Sequence, residues 1–333
     1  MTTLRGKIPV TRVDIAVQIA AALEAEGLSA ENAMRGLNMP PWHYCRRDGF
    51  VPFAHICRLM DHGSRTLGSK TFGIRVSELG SFAEMGDLRN RAARADRLSG
   101  TEGCRPRPSF LRNDANWWLA EATDEVLFCR DGPRVFDFGE REMAHFAMGM
   151  MVQVARMGAG PNWRPSKIFV PSRDSMGLEK TDVFCDAEIV PTRTLTAIAI
   201  PRAVAGLPVV ASTNPRLPTR GRTKPADDFP GSLHQVLATL LGERAPQIET
   251  AAEIAGMTVR SLQRRLANDG TTYSKLFEEA RYSTAVKLLA ENNKKIIDVG
   301  YSLGYSDPAH FTRAFRRFAG VSPREFRENC SVH

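Results

Sequence analysis

At 333 residues the chain exceeds what one hydrophobic core usually supports, so two domains are expected. Its 43% hydrophobic and 25% charged residues fit a globular protein, and no apolar run approaches the roughly 18 residues of a membrane helix. The net charge of +8 permits nucleic-acid binding, but only 14 Lys and Arg against 11 Asp and Glu follow residue 230, so bulk charge does not say which end would bind.

The first residues, Met1 to Lys7, are basic but lead into Val13-Asp14-Ile15 and an amphipathic stretch rather than an uninterrupted apolar segment. That pattern argues against a signal peptide and for a cytoplasmic protein. Helical periodicity runs over Val13 to Leu23 and Phe53 to Leu67, followed by strand patterns at Asn116 to Ala120, Glu125 to Arg130, Lys167 to Val170 and Leu195 to Ile200. An α+β domain over residues 1–207 fits this order.

Within it, Met143, Phe146, Ala147, Met150, Met151 and Val154 share one helix face. Either the domain's own sheet covers that stripe, or Met143, Phe146, Met150, Met151 and Val154 form a homodimer face, with flexible methionines tolerating an imperfect partner. Cys45, Cys57, Cys104, Cys129, Cys185 and Cys330 include no C-x-x-C pair, which argues against a disulfide framework and a zinc site and suggests reduced, mostly buried thiols. A redox role would fall to Cys104 or Cys129, each followed by an arginine. On a strand, Trp117 and Trp118 point opposite ways, so at most one lines an effector pocket. Arg89, Arg91 and Arg94 offer an anion site or simply a solvated charge run.

Prolines 208, 215, 218, 225 and 230 mark a linker over residues 208–230. Beyond it strand signals vanish, and an all-helical domain is expected over residues 231–333. That region repeats itself at an offset of 48, pairing Ile248 with Ile296, Ala251 with Val299, Ala252 with Gly300, Gly256 with Gly304 and Met257 with Tyr305. In each copy a helix with a small residue ends at the glycine, a tight turn follows, and a polar cap opens a second helix rich in Arg and Gln. This is the helix-turn-helix layout.

Thr258 caps Val259 to Leu266, while Asp307 caps a helix whose first position is Pro308. Leu262 and Leu266 in the first copy, with Phe311, Phe315 and Phe318 in the second, supply the inward faces. Arg260, Gln263 and Arg264, then Ala309, His310, Arg313, Arg316 and Arg317, are left outward. Arginine pairs with guanine edges or phosphates, glutamine with adenine, and alanine meets a thymine methyl.

The stretch from Ile296 to Phe318, IIDVGYSLGYSDPAHFTRAFRRF, followed by GVSPREFR from Gly320 to Arg327, closely resembles the AraC/XylS signature. The resemblance covers about Leu233 to Arg327. It implies two helix-turn-helix units joined by a long helix over Tyr273 to Glu291, and a transcription regulator, more often an activator, that binds double-stranded promoter DNA and acts on RNA polymerase. Carried over by position, base-reading residues are Arg260, Gln263, Arg264, Pro308, Ala309, His310 and Arg313; Thr258, Thr312, Arg316 and Arg317 are the stronger candidates for phosphate contacts. The first domain is similar, through its early helices and the runs Val183 to Ala187 and Leu195 to Ala203, to an arabinose-binding-type regulatory domain. That likeness implies a small-molecule effector, of unknown identity and site, and dimerisation.

Gly300 to Gly304 fits the G-x-S-x-G of hydrolases, but it sits in a helix and turn rather than after a strand. No Walker A, H-E-x-x-H or dinucleotide G-x-G-x-x-G occurs, so no enzyme, metal or cofactor is expected. The alternatives are an enzyme or thiol switch fused to a DNA-binding tail, or a regulator with no effector.

Overall fold

The computed structural model describes residues 6–42, 49–79, 116–131, 136, 138–171, 174–205, 224–241, 246–291 and 294–330. Cys45, Cys104, Arg89, Arg91, Arg94 and most of the proline-rich 208–230 segment lie outside them. The chain divides into two compact units, one of Thr11–Asp48 and Phe53–Lys224, the other of Met1–Val10, Gly49–Pro52 and Pro225–His333. The boundary expected across residues 208–230 is therefore joined by two early segments that belong with the C-terminal helices.

In chain order the elements up to residue 205 are β1 (Val10–Arg12), α1 (Val13–Ala25), α2 (Ala30–Gly36), β2 (Phe50–Pro52), α3 (Phe53–Thr66), α4 (Phe72–Leu79), β3 (Asn116–Glu121), β4 (Glu125–Asp131), α5 (Glu140–Ala159), β5 (Lys167–Pro171), β6 (Glu188–Thr192), β7 (Thr196–Pro201) and α6 (Arg202–Ala205). The larger unit carries a five-stranded sheet in the order β3-β4-β7-β5-β6. The β3–β4, β4–β7 and β5–β7 pairs are antiparallel, and β5–β6 is parallel. Strand β7 is central and buried from Thr196 to Ile200, which is why it reads as an unbroken apolar run rather than an alternation. At the other extreme, β6 sits at an edge and tolerates Pro191 there.

Helix α5 is the core of this unit and packs on α4, α3 and β7. Two glycines let the helices meet closely: a Cβ on Gly73 would fall 1.9 Å from the Glu142 carbonyl oxygen, and one on Gly149 1.8 Å from the Ser77 side-chain Oγ. Met143, Phe146, Met150, Met151 and Val154 are all buried there. The chain's own helices and sheet therefore cover the stripe, and it offers no free dimer face.

A buried histidine makes this unit sensitive to acid. Trp42 Nε1 donates to His55 Nδ1 at 3.1 Å, which requires a neutral acceptor nitrogen. Burial, helped by Arg58, holds the His55 pKa down at about 4. Unfolding releases it to an ordinary value near 6.5, so the unfolded chain binds the proton first. The contribution is whole above pH 6.5 and is lost as the pH falls to about 4, amounting to roughly 3 kcal/mol. Urea unfolding at pH 7 and pH 4.5 is expected to show this loss, and His55→Phe is expected to flatten that part of the pH dependence.

The smaller unit is helical beyond residue 225. Its helices are α7 (Phe229–Leu240), α8 (Ile248–Ile254), α9 (Val259–Asn268), α10 (Tyr273–Ala290), α11 (Ile296–Ser302), α12 (Pro308–Ala319) and α13 (Pro323–Cys330). Asp228 caps α7 by accepting from Gly231 N. Ser322 and Glu325 cap α13 reciprocally, Glu325 N donating to Ser322 Oγ at 3.3 Å and Ser322 N to the Glu325 carboxylate at 2.7 Å.

Candidate nucleic-acid interface

The two helix pairs, α8–α9 and α11–α12, are closed by the same backbone bonds at the 48-residue offset. In the first turn Gly256 N donates to Glu253 O and Met257 N to Ala252 O; in the second Gly304 N donates to Tyr301 O and Tyr305 N to Gly300 O. Both glycines sit at positive φ, +65° and +78°, where a side chain would be strained. Each second helix then opens on a side-chain cap. Thr258 accepts from Ser261 N at 3.2 Å, and Asp307 from Ala309 N at 2.9 Å.

Behind the second pair lies a core of Ala285, Leu288, Leu289, Val299, Leu303, Phe311 and Phe315. Gly300 is small because Phe311 presses on it: an added Cβ would come within 3.2 Å of that ring. Phe318, expected to point inward with the other two phenylalanines, is instead 39% exposed and stacks on Tyr282. It sits on the next helical turn, past the edge of the core. The first pair turns Leu262 and Leu266 inward, both fully buried.

Helix α10 holds the second turn through Arg281. Its guanidinium lies 4.4 Å from the ring centres of both Phe277 and Tyr305, and it donates to the carbonyl oxygens of Leu303 and Gly304 at 3.1 and 3.2 Å. Burial raises the Tyr305 phenol pKa, with Arg281 opposing that shift. The cation thus satisfies two carbonyls at the end of α11 that no helix bond reaches.

Arg260, Gln263 and Arg264 are exposed together on α9, and Ala309, His310 and Arg313 are exposed together on α12, with Pro308 half-buried at its start. Of the four residues nominated for phosphate, Arg316 is exposed, whereas three are engaged within the unit. Thr258 serves as the cap, Thr312 Oγ1 donates to Pro308 O at 3.0 Å, and Arg317 is ion-paired with Glu278. An open groove of about 660 Å³, not anticipated from sequence, runs beside α9 and is lined by Gln247, Glu249, Gln263, Thr271, Thr272 and Tyr273 among others.

The other sites weighed from sequence find little chemistry. Ser302 lies in the last turn of α11 and donates to Val299 O at 2.9 Å, and the described element before α11 is the helix α10, not a strand. Cys57 and Cys129 are buried, and burial pushes the Cys57 thiol pKa up. Cys185 and Cys330 are exposed, contrary to the expectation of mostly buried thiols. Trp117 is buried against Phe128 while Trp118 is half-buried, as opposite faces of β3 require. Among the described residues no His, Cys, Asp and Glu cluster could hold a metal ion, and no helix is long and apolar enough to cross a membrane.

Residues 251–329 match the family model described as a helix-turn-helix domain. Over 102 residues the chain is 35% identical to the HTH-type transcriptional regulator VqsM of Pseudomonas aeruginosa, a match covering 30% of this chain and 31% of that protein. It is 23% identical over 309 residues to the HTH-type transcriptional regulator VirS of Mycobacterium tuberculosis, covering 88% of this chain and 89% of that one. A third relative, the HTH-type transcriptional activator RhaS of an Enterobacter species, is 32% identical over 99 residues, 29% of this chain and 36% of that one. Among solved structures, the transcriptional regulator CdpR from Pseudomonas aeruginosa aligns with 90% of this chain and 96% of its own at 17% identity, with a TM-score of 0.34. The C-terminal region is a helix-turn-helix domain, and over that region the chain is similar to DNA-binding transcriptional regulators of the AraC type.

Proposed function

We propose that the chain is a sequence-specific, DNA-binding transcription regulator in which both helix pairs work as helix-turn-helix units. The observation that carries this reading is the recurrence of one backbone hydrogen-bond pattern at an offset of 48 residues, each copy followed by a capped helix with exposed polar residues. In this reading α9 and α12 enter successive major grooves on one face of DNA, about 34 Å apart. Arg260, Gln263 and Arg264 read bases in the first groove. Pro308, Ala309, His310 and Arg313 face the second, where a proline and an alanine leave more of the recognition to DNA shape and phosphates. The engagement of Arg317 by Glu278 makes it a phosphate contact that exchanges one anion for another.

The larger unit would bind a small-molecule effector and bias the DNA-binding unit toward activation. Support comes from its sheet-and-helix architecture, its separation as a compact unit, and the word activator in the name of one relative. Promoter DNA and RNA polymerase are its proposed partners, the cytoplasm its proposed location. A homodimer would need a face other than the buried α5 stripe.

Two substitutions test the division of labour. Arg264→Ala is expected to weaken binding by about 1–3 kcal/mol and relax preference at one base pair, while Arg317→Ala weakens all duplexes alike and lowers the salt dependence by about one phosphate contact. Anisotropy titrations on a base-substituted duplex series at several salt concentrations measure both. Identical profiles for the two variants would contradict the assignment.

A further inference from the structure

We infer that residues 6–10 and 49–52 are a built-in brace of the helix-turn-helix unit, bound to a surface of α7 made to receive them, and that this brace holds the first recognition helix, α9, in place. The surface is defined by two buried hydroxyls on α7, Ser232 and Thr239, seven residues or about two turns apart on one helix face. Each gives its proton to its own helix, Ser232 to Phe229 O and Thr239 to Gln235 O, both at 2.9 Å. Each oxygen is thereby left to accept a main-chain N–H from elsewhere: Ile8 N at 3.1 Å and Phe50 N at 2.7 Å. Hydroxyls inside a helix bring no advantage to it, and a buried acceptor without its donor is costly. Their placement fits an extended segment at both sites.

Apolar contacts agree. Ile8, Val10, Phe50 and Val51 are all at least 95% buried. The brace then reaches α9 through Arg265, which donates to Gly6 O at 2.6 Å, bonds Asp269 at 3.4 Å and lies 5.0 Å from the ring centre of Phe229 at the start of α7. Gly6 has φ +75°, a conformation that strains residues with a side chain, which favours a glycine at this joint. Arg260, Gln263 and Arg264 stay exposed, which makes the segment a support rather than a cover over the reading face. The chain passes between the larger unit and this brace at three points, Val10 to Thr11, Asp48 to Gly49 and Pro52 to Phe53, and β1 and β2 run without a break into α1 and α3.

Hydrogen–deuterium exchange on the full-length protein without DNA tests the brace independently of any DNA reading. Two variants approach it from opposite sides: Ser232→Ala combined with Thr239→Val, which keeps the packing and removes both acceptors, and a chain lacking residues 1–9. In both, exchange in α7 and α9 is expected to speed up about tenfold or more while β4 and β7 keep their protection. Affinity for a selected duplex is expected to fall about fivefold or more with the same site preferred. Unchanged exchange in α7 and α9, or loss of protection equally large in β4 and β7, overturns the inference. So does tighter DNA binding with unchanged exchange, which would make the segment a block.

Discussion

Arg281→Ala is expected to abolish recognition by the second helix pair, lowering affinity for a two-box site about 100-fold. The substitution removes two charge-assisted hydrogen bonds to Leu303 and Gly304 carbonyls, each worth about 1.5–3 kcal/mol, and two aromatic contacts of about 0.5–1 kcal/mol each. Those carbonyls end α11 at the turn, so losing the cation lets α12 swing relative to α10. The defect should be local: a duplex bearing only the box read by α9 is expected to bind the variant and the parent equally. Arg281→Lys keeps the charge but not the planar fork, and an intermediate loss is expected. An equal loss on both duplexes would show that Arg281 supports the whole unit instead of one turn.

The largest effect on stability is expected from Gly73→Val in the other unit. A side chain there meets the Glu142 carbonyl and the Phe146 amide of α5, backbone atoms that cannot rotate aside. Relief requires separating α4 from α5 along the buried face of Met143, Phe146 and Met150, at a cost of about 4 kcal/mol or more. Gly36→Ala provides the control, because nothing lies within 4 Å of its added carbon and its φ is ordinary. That change is expected to be neutral or to stabilise by about 0.5 kcal/mol. All four tryptophans, Trp42, Trp117, Trp118 and Trp163, lie in this unit, so urea unfolding followed by tryptophan fluorescence reports on it alone. Equal midpoints for Gly73→Val and the parent would contradict the close helix contact.

What could be read in the sequence was local. The glycine turns, the Thr258 and Asp307 caps, and the inward Leu262, Leu266, Phe311 and Phe315 follow from periodicity and residue type within a few positions. So do the strands with uninterrupted apolar patterns, whereas β6 was hidden by Pro191 and the three-residue β1 and β2 are too short to show a period. Periodicity marked the α5 stripe without saying what covers it; that depended on Gly73 meeting Glu142 and Phe146, and Gly149 meeting Ser77, across two helices. Arg265 is 259 residues from Gly6, and no pattern in either segment announces their contact. Phe318 continues the spacing of Phe311 and Phe315, but the core it would join ends one turn earlier, which leaves it 39% exposed.

The central claim is that two helix pairs on one scaffold read DNA together, and selection of duplexes from a random library by the full-length protein tests it most directly. Enrichment of a single site with two short boxes about one helical turn apart, the first relaxed at one base pair by Arg264→Ala and the second lost with Arg281→Ala, is the expected result. Enrichment of one box alone, or of no sequence at all, would contradict it.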